Sequence, residues 1–179
     1  MKKLNSRLQK FIEQQNLFFV ATADVDGRVN VSPKGMDTLR VLDDNRLIWL
    51  SLTGSGNETA AHVQATQRMT MMFCAFEGDA LILRLYGNAK VIHPRDPEWP
   101  DLISQFPELA GSRQIFDLQI DLVQSSCGTG VPVMEFKSSR GEKELEPFYD
   151  DMGLESVRKY WKQKNSKTID GKQTGIGDD

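Results

Sequence analysis

Leu4, Leu8, Phe11 and Ile12 recur at helical spacing and predict a short amphipathic helix over residues 4–15. Past it the period shortens to two. FFVATADVDGRVNVSPKG combines β-formers with an Asp26-Gly27 turn and predicts a hairpin, with Val29 and Val31 on one face and Arg28, Asn30 and Ser32 on the other. Pro33 has no N–H to donate and belongs at the end of regular pairing or on an edge. A turn at Asp43-Asp44-Asn45 introduces a strand over 46–52, and TGSGNETAAHVQAT runs as a glycine-bearing loop into a helix.

RMTMMFCAF reads as a further strand, Glu77-Gly78-Asp79 as a turn, and ALILRLYGNAKVI as a long strand bent or bulged at Gly87. Pro94, Pro97, Pro100 and Pro107 break up residues 94–111 and leave room for a short helix around 97–106. IFDLQIDLVQ alternates, Leu118, Ile120 and Leu122 against Asp117, Gln119 and Asp121, as a half-buried strand does. SSCGTG interrupts it, and VPVMEF resumes extended structure. Leu154, Val157, Tyr160 and Trp161 mark a C-terminal helix. The fold class is α+β, mainly β: six or more mostly antiparallel strands with flanking helices, which closure into a barrel would relieve of exposed edges. Residues 1–165 read as one domain and 166–179 as a polar, glycine-rich tail that needs a tether to be ordered.

Composition narrows the function classes. The 179 residues are 39% hydrophobic and 26% charged with a net charge of −3, so no bulk basic field draws nucleic acid or an anionic membrane. No apolar stretch approaches the roughly 18 residues of a membrane span. The opening MKKLNSRLQKFIEQQ lacks an apolar core and cleavage site and reads as a mature helix. Two cysteines, Cys74 and Cys127, and two histidines, His62 and His93, have no metal-ligand spacing; they fit a reducing cytoplasm.

The richest segment is the strand–loop–helix LIWLSLTGSGNETAAHV. Gly54 and Gly56 let the backbone turn tightly and approach a ligand, and the following helix N-terminus offers N–H groups and partial positive charge to a phosphate. Thr53, Ser55, Asn57 and Thr59 add short donors, while Ser55 and Glu58 are spaced as a capping box that turns Glu58 away. The same residues also describe an ordinary flexible loop with an ordinary cap. No Gly-Lys-Ser/Thr closes a P-loop here, and no third glycine completes a dinucleotide fingerprint. Lys34 in SPKG adds a cation to this site only if the fold joins the two strands; otherwise it is a solvated charge. Cys127 reads as a turn cysteine filling a small buried space, His62 as a surface or packing histidine, and Trp49 as core. Tyr160 and Trp161 read as staples of the last helix, with Trp161 at a ligand's ring edge as the lesser alternative, and Arg113 as a strand-start charge ahead of a contact across a dimer.

Taken in order, VNVSPKG, TGSGNETAAH, ILRLYGNAKV, QSSCGTGVP and YWKQKNSKTIDG resemble the pyridoxamine 5′-phosphate oxidase-related FMN-binding proteins along nearly the whole chain. The resemblance implies a six-stranded antiparallel split β-barrel and a homodimer with FMN bound at the interface by both subunits. It assigns flavin contacts to Val31, Ser32 and Lys34 on the first strand, and to Leu50 and Ser51 on the second. Thr53, Ser55, Gly56, Asn57, Glu58 and Thr59 correspond to the phosphate segment, and Gln124 and Ser125 to a pair reaching the partner's flavin. Two departures speak against authentic pyridoxamine phosphate oxidase activity: the phosphate segment reads Gly56-Asn57-Glu58-Thr59 without Arg or Lys, and residues 165–179 lack the Arg/His stretch that holds that substrate. The expected function is an FMN-dependent oxidoreductase acting on a small molecule with no side chain required as general acid or base. The alternatives are a flavin- or porphyrin-binding protein without turnover and a barrel that has lost its cofactor.

Overall fold

The protein is described by a computed structural model over residues 3–177. Met1 and Lys2 of the expected domain, and Asp178 and Asp179 of the expected tail, lie outside the described residues. Helix α1 (Ser6–Glu13) starts where the Asn5 side chain accepts from Leu8 N–H at 3.0 Å, and it buries Leu8 and Ile12. Strands β1 (Phe18–Thr22) and β2 (Asn30–Lys34) form the expected hairpin, its connection turned by Gly27 at φ +90°. Asn30, Ser32 and Lys34 are half-buried, whereas Val31 and Pro33 face out. β2 is an edge strand, where the missing proline donor does no harm.

The remaining elements are β3 (Leu39–Val41), β4 (Arg46–Leu52), α2 (Glu58–Thr66), β5 (Arg68–Cys74), β6 (Leu81–Ile92), α3 (Trp99–Ile103), β7 (Ser112–Cys127), α4 (Glu146–Met152) and α5 (Leu154–Tyr160). All strands join one antiparallel sheet in the order β2-β1-β5-β6-β7-β4-β3. The sheet therefore has seven strands rather than six, the addition being the short β3, and β2 and β3 remain edges rather than closing on each other. It is nevertheless curled. Phe18 on β1 meets Trp49 on β4 edge-on at 6.5 Å although β5, β6 and β7 lie between them in the sheet. Trp49 also stacks on Phe116 at 4.9 Å, and Val20, Leu47, Met71, Phe73, Leu83 and Leu85 complete the fully buried interior. Outside the curl, Ile48, Leu50, Ile92 and Ile115 form a second core with Phe106 and α3.

Two irregularities on β7 aim side chains. Tyr86 pairs with Leu122 but Gly87 with Ile120, leaving Asp121 as the extra residue of a bulge. A Cβ on Gly87 would collide with the Gln119 carbonyl, so glycine permits this approach. The extra residue reverses the inward and outward faces: Leu122, expected inside with Leu118 and Ile120, is 46% exposed, and Val123 takes the interior at 2%. At the other end Ser51 pairs with Gln114 but Leu52 with Ser112, which makes Arg113 the extra residue.

The C-terminal third departs further from expectation. β7 runs through Ser125 to Cys127, and VPVMEF forms no strand, although Met134 N–H donates to the Phe76 carbonyl at 2.9 Å. Beyond α5 and a π-helical turn (Trp161–Asn165), the tail is tied down: Asp170 accepts from Arg28 N–H at 2.8 Å, and Thr174 and Ile176 are buried. Among the described residues no helix is long and apolar enough to cross a membrane, and no cluster of three or more His, Cys, Asp or Glu is placed to hold a metal.

Candidate functional site

Curling the sheet brings β2 to the mouth of β4 and to the start of α2, and the three enclose a cavity of about 290 Å³. β2 supplies Asn30, Ser32 and Lys34, β4 supplies Ser51, the loop supplies Gly54 through Asn57, α2 supplies Glu58 and Thr59, and β7 supplies Arg113. The two strands that had to be neighbours for Lys34 to join the loop are thus joined through space, not through the sheet.

Arg113 dominates the electrostatics. It is 5% exposed, and its guanidinium donates to the Gly56 carbonyl at 3.0 Å, to Asn165 Oδ1 at 2.9 Å and to Ser51 Oγ at 3.2 Å. Nε has no partner. Burial pushes its pKa down to about 10, offset partly by Tyr149 and Glu58, so it stays cationic at neutral pH. Lys34 is pushed down to about 8, first by burial and then by the like charge of Arg113, with Glu58 opposing. Its ammonium lies 5.1 Å from the centre of the Trp49 ring.

The helix start differs from the expected capping box. Asn57, not Ser55, occupies the cap position, and no side chain caps α2. Glu58 is then the first helical residue, whereas a capping box needs its acid at the third. Glu58 instead lies over Gly56, where a Cβ would fall on its Oε2, and its Oε1 accepts from Ile169 N–H at 3.3 Å. Ser55 is exposed at the cavity rim. Asn57 is buried and donates to the Asn165 carbonyl at 3.3 Å, while its Oδ1 is unpartnered. Thr59 Oγ1 accepts from Asn30 at 3.1 Å.

Other expected residues lie elsewhere. Thr53 is buried below the loop, donating to the Gly111 carbonyl at 2.7 Å and accepting from Trp161 Nε1 at 2.8 Å. Leu50 borders an adjoining cleft of about 910 Å³ that shares Lys34, Trp49, Leu52 and Gly54 with the cavity. Val31 is 61% exposed on the opposite face of β2, and Gln124 and Ser125 are exposed on β7, away from the cavity of their own chain. His62 is a packing histidine, buried against Thr22 Oγ1 at 3.1 Å. Cys127 is exposed rather than filling a buried space, because β7 continues to it. Arg113 is the principal residue that sequence reasoning undervalued. The alternating pattern downstream placed it at a strand start, but only the pairing register shows the bulge that turns it inward.

Fold and cavity define a curled split barrel with a cavity lined by Lys34, Arg113 and Glu58 at a strand–loop–helix junction. The chain belongs to the pyridoxamine 5′-phosphate oxidase family, whose sequence profile matches residues 4–127. It is 32% identical over 186 aligned residues, covering 95% of this chain and 75% of the relative, to the pyridoxamine 5′-phosphate oxidase family protein ustO of Aspergillus flavus. In fold it is similar to HupZ of Group A Streptococcus (TM-score 0.56, 18% identity, 73% of this chain and 99% of that one). A putative pyridoxamine 5′-phosphate oxidase of Lactobacillus delbrueckii is equally similar (TM-score 0.56, 23% identity, 69% and 95%).

Proposed function

We infer that this chain is an FMN-binding flavoprotein, an oxidoreductase acting on a small molecule and working as a homodimer. The observation that carries the reading is Arg113: a buried guanidinium with an unpartnered Nε, facing a cavity that Lys34 also lines. A buried guanidinium whose acceptors are all neutral favours an anion in the cavity it lines. The uncapped start of α2 and the Gly54–Asn57 backbone suit the same anion. A flavin ring needs an apolar wall one ribityl chain away from the phosphate, and the adjoining cleft offers the incompletely buried Leu17, Leu52 and Phe136.

Bound FMN would supply hydride or single-electron transfer, while the protein binds and orients it. In this reading Arg113 and Lys34 hold the phosphate, Ser51 orients Arg113, and Ser32 offers a hydroxyl from β2.

The homodimer reading is supported by the outer sheet face. Direct pairing sets Val31, Ala21, Thr70, Tyr86 and Leu122 in one row across five strands, and Pro33, Phe19, Met72, Arg84 and Gln124 in the next. This face is apolar at Val31 and Leu122, and Gln124 is exposed on it, free in this reading to meet a partner's flavin. The test is the absorption spectrum of the purified protein, with chromatography of any chromophore released by heat. Flavin bands and released FMN are expected; a colourless protein that does not take up added FMN overturns the reading.

A further inference from the structure

Asn165 is completely buried, and it lies beyond the family-matched residues 4–127. Its side chain bridges two parts of the cradle that are far apart in sequence. Oδ1 accepts from Arg113 Nη1 at 2.9 Å, and Nδ2 donates to the Gly54 carbonyl at 2.9 Å. Its own carbonyl accepts from Asn57 Nδ2 at 3.3 Å and from Thr174 Oγ1. The same C-terminal segment holds Thr53 through Trp161 Nε1 and Glu58 through Ile169 N–H.

The chemistry of these partners is selective. A buried guanidinium needs acceptors, and every acceptor that Arg113 has here is neutral: Asn165 Oδ1, the Gly56 carbonyl and Ser51 Oγ. Neutral acceptors hold Nη1 and Nη2 without forming an ion pair, so the positive charge, opposed by Glu58 without a direct bond, stays available to an anion. A carboxylate in the place of Asn165 would form an internal ion pair and remove that attraction. Because one amide touches both Arg113 and Gly54, it also fixes the distance between the cation and the loop.

We propose that Asn165 is a positioning residue for the ligand phosphate, and that residues 161–169 are part of the cradle. The proposal rests on the flavin reading for the identity of the ligand, not for the geometry. Asn165→Asp keeps the size and the acceptor toward Arg113, turns the donor facing Gly54 into an acceptor, and adds the cancelling charge.

The experiment measures equilibrium binding of FMN and of riboflavin, which lacks the phosphate, to wild type, Asn165→Asp and Ile176→Ala. Amide hydrogen exchange of the ligand-free proteins is followed alongside. Asn165→Asp is expected to weaken FMN at least ~10-fold, to leave riboflavin as it is, and to accelerate exchange at Gly54–Asn57 while β6 and β7 stay protected. Ile176, 4% exposed in the same tail, packs in the cluster of Tyr149, Val157 and Trp161, so Ile176→Ala should lower stability without changing the FMN-to-riboflavin ratio. If Ile176→Ala moves that ratio as far as Asn165→Asp does, general loosening explains the effect and the proposal falls. It falls equally if folded Asn165→Asp leaves both the ratio and the loop exchange unchanged. Should wild type bind neither flavin, the FMN reading fails, and loop exchange alone decides the positioning role. Asn165→Ser, smaller and uncharged, replaces the aspartate variant if that one does not fold; the same direction is expected and no change overturns the proposal.

Discussion

The Lys34 ammonium stands 5.1 Å from the centre of the Trp49 ring, an edge-strand cation held over a core aromatic by the curl of the sheet. This placement removes water from the amine, and with Arg113 nearby its pKa falls to about 8. A charged amine attracts phosphate and a neutral one does not. FMN affinity should therefore hold steady up to about pH 8 and decline above it, toward the higher pKa that bound phosphate gives the amine. A titration series from pH 7 to 9.5 tests this, and Lys34→Arg should flatten the decline. The ligand-free protein should show the opposite trend. Between about 8 and the ordinary 10.5 the unfolded chain holds a proton that the folded one has released, so this group adds stability as pH rises.

Arg113 serves three neutral acceptors with one planar fork. A lysine keeps the charge but cannot reach Ser51, Gly56 and Asn165 together. Arg113→Lys should weaken FMN by about 10- to 100-fold, the equivalent of one or two charge-assisted hydrogen bonds, with riboflavin affinity nearly unaffected. Fluorescence titration with both flavins checks it.

Gly87 allows β6 to approach the Gln119 carbonyl at the bulge. Gly87→Ala has nowhere to put its methyl without displacing backbone, and it should destabilise the fold by about 3 kcal/mol. Urea unfolding at equilibrium gives the value.

Leu122 sits in the outward row with Val31. A charge there should split a dimer formed through this face. Leu122→Glu is expected to sediment as a monomer and to lose flavin, because Gln124 no longer reaches a partner's site. A wild type that sediments as a monomer with flavin bound would contradict the shared site.

The sequence made strand β4 readable to the residue, since an Asp-Asp-Asn turn and a continuous apolar run delimit it. The hairpin of β1 and β2 was equally plain from Asp26-Gly27. β3 escaped because Leu39-Arg40-Val41 is too short to show a period. Leu122 was placed on the wrong face because a bulge depends on the partner strand, and alternation within β7 carries no record of it. The same holds for Arg113 at the cradle. The glycine loop announced the site, whereas Ser55 looked like its cap only because the spacing to Glu58 fits a box that the backbone does not form. Asn165 lies in YWKQKNSKTIDG, one of the segments that carry the family resemblance, but nothing local marks its role, which comes from contacts with Gly54 and Arg113.

The proposed function requires a phosphate held by Arg113, Lys34 and the Gly54–Asn57 loop. Its most direct test is a side-by-side titration of the apoprotein with FMN and riboflavin at pH 7. FMN should bind at least ~100-fold tighter, as expected for two or more charge-assisted hydrogen bonds to one group. Equal affinities would contradict it, because the cradle would then make no use of the phosphate.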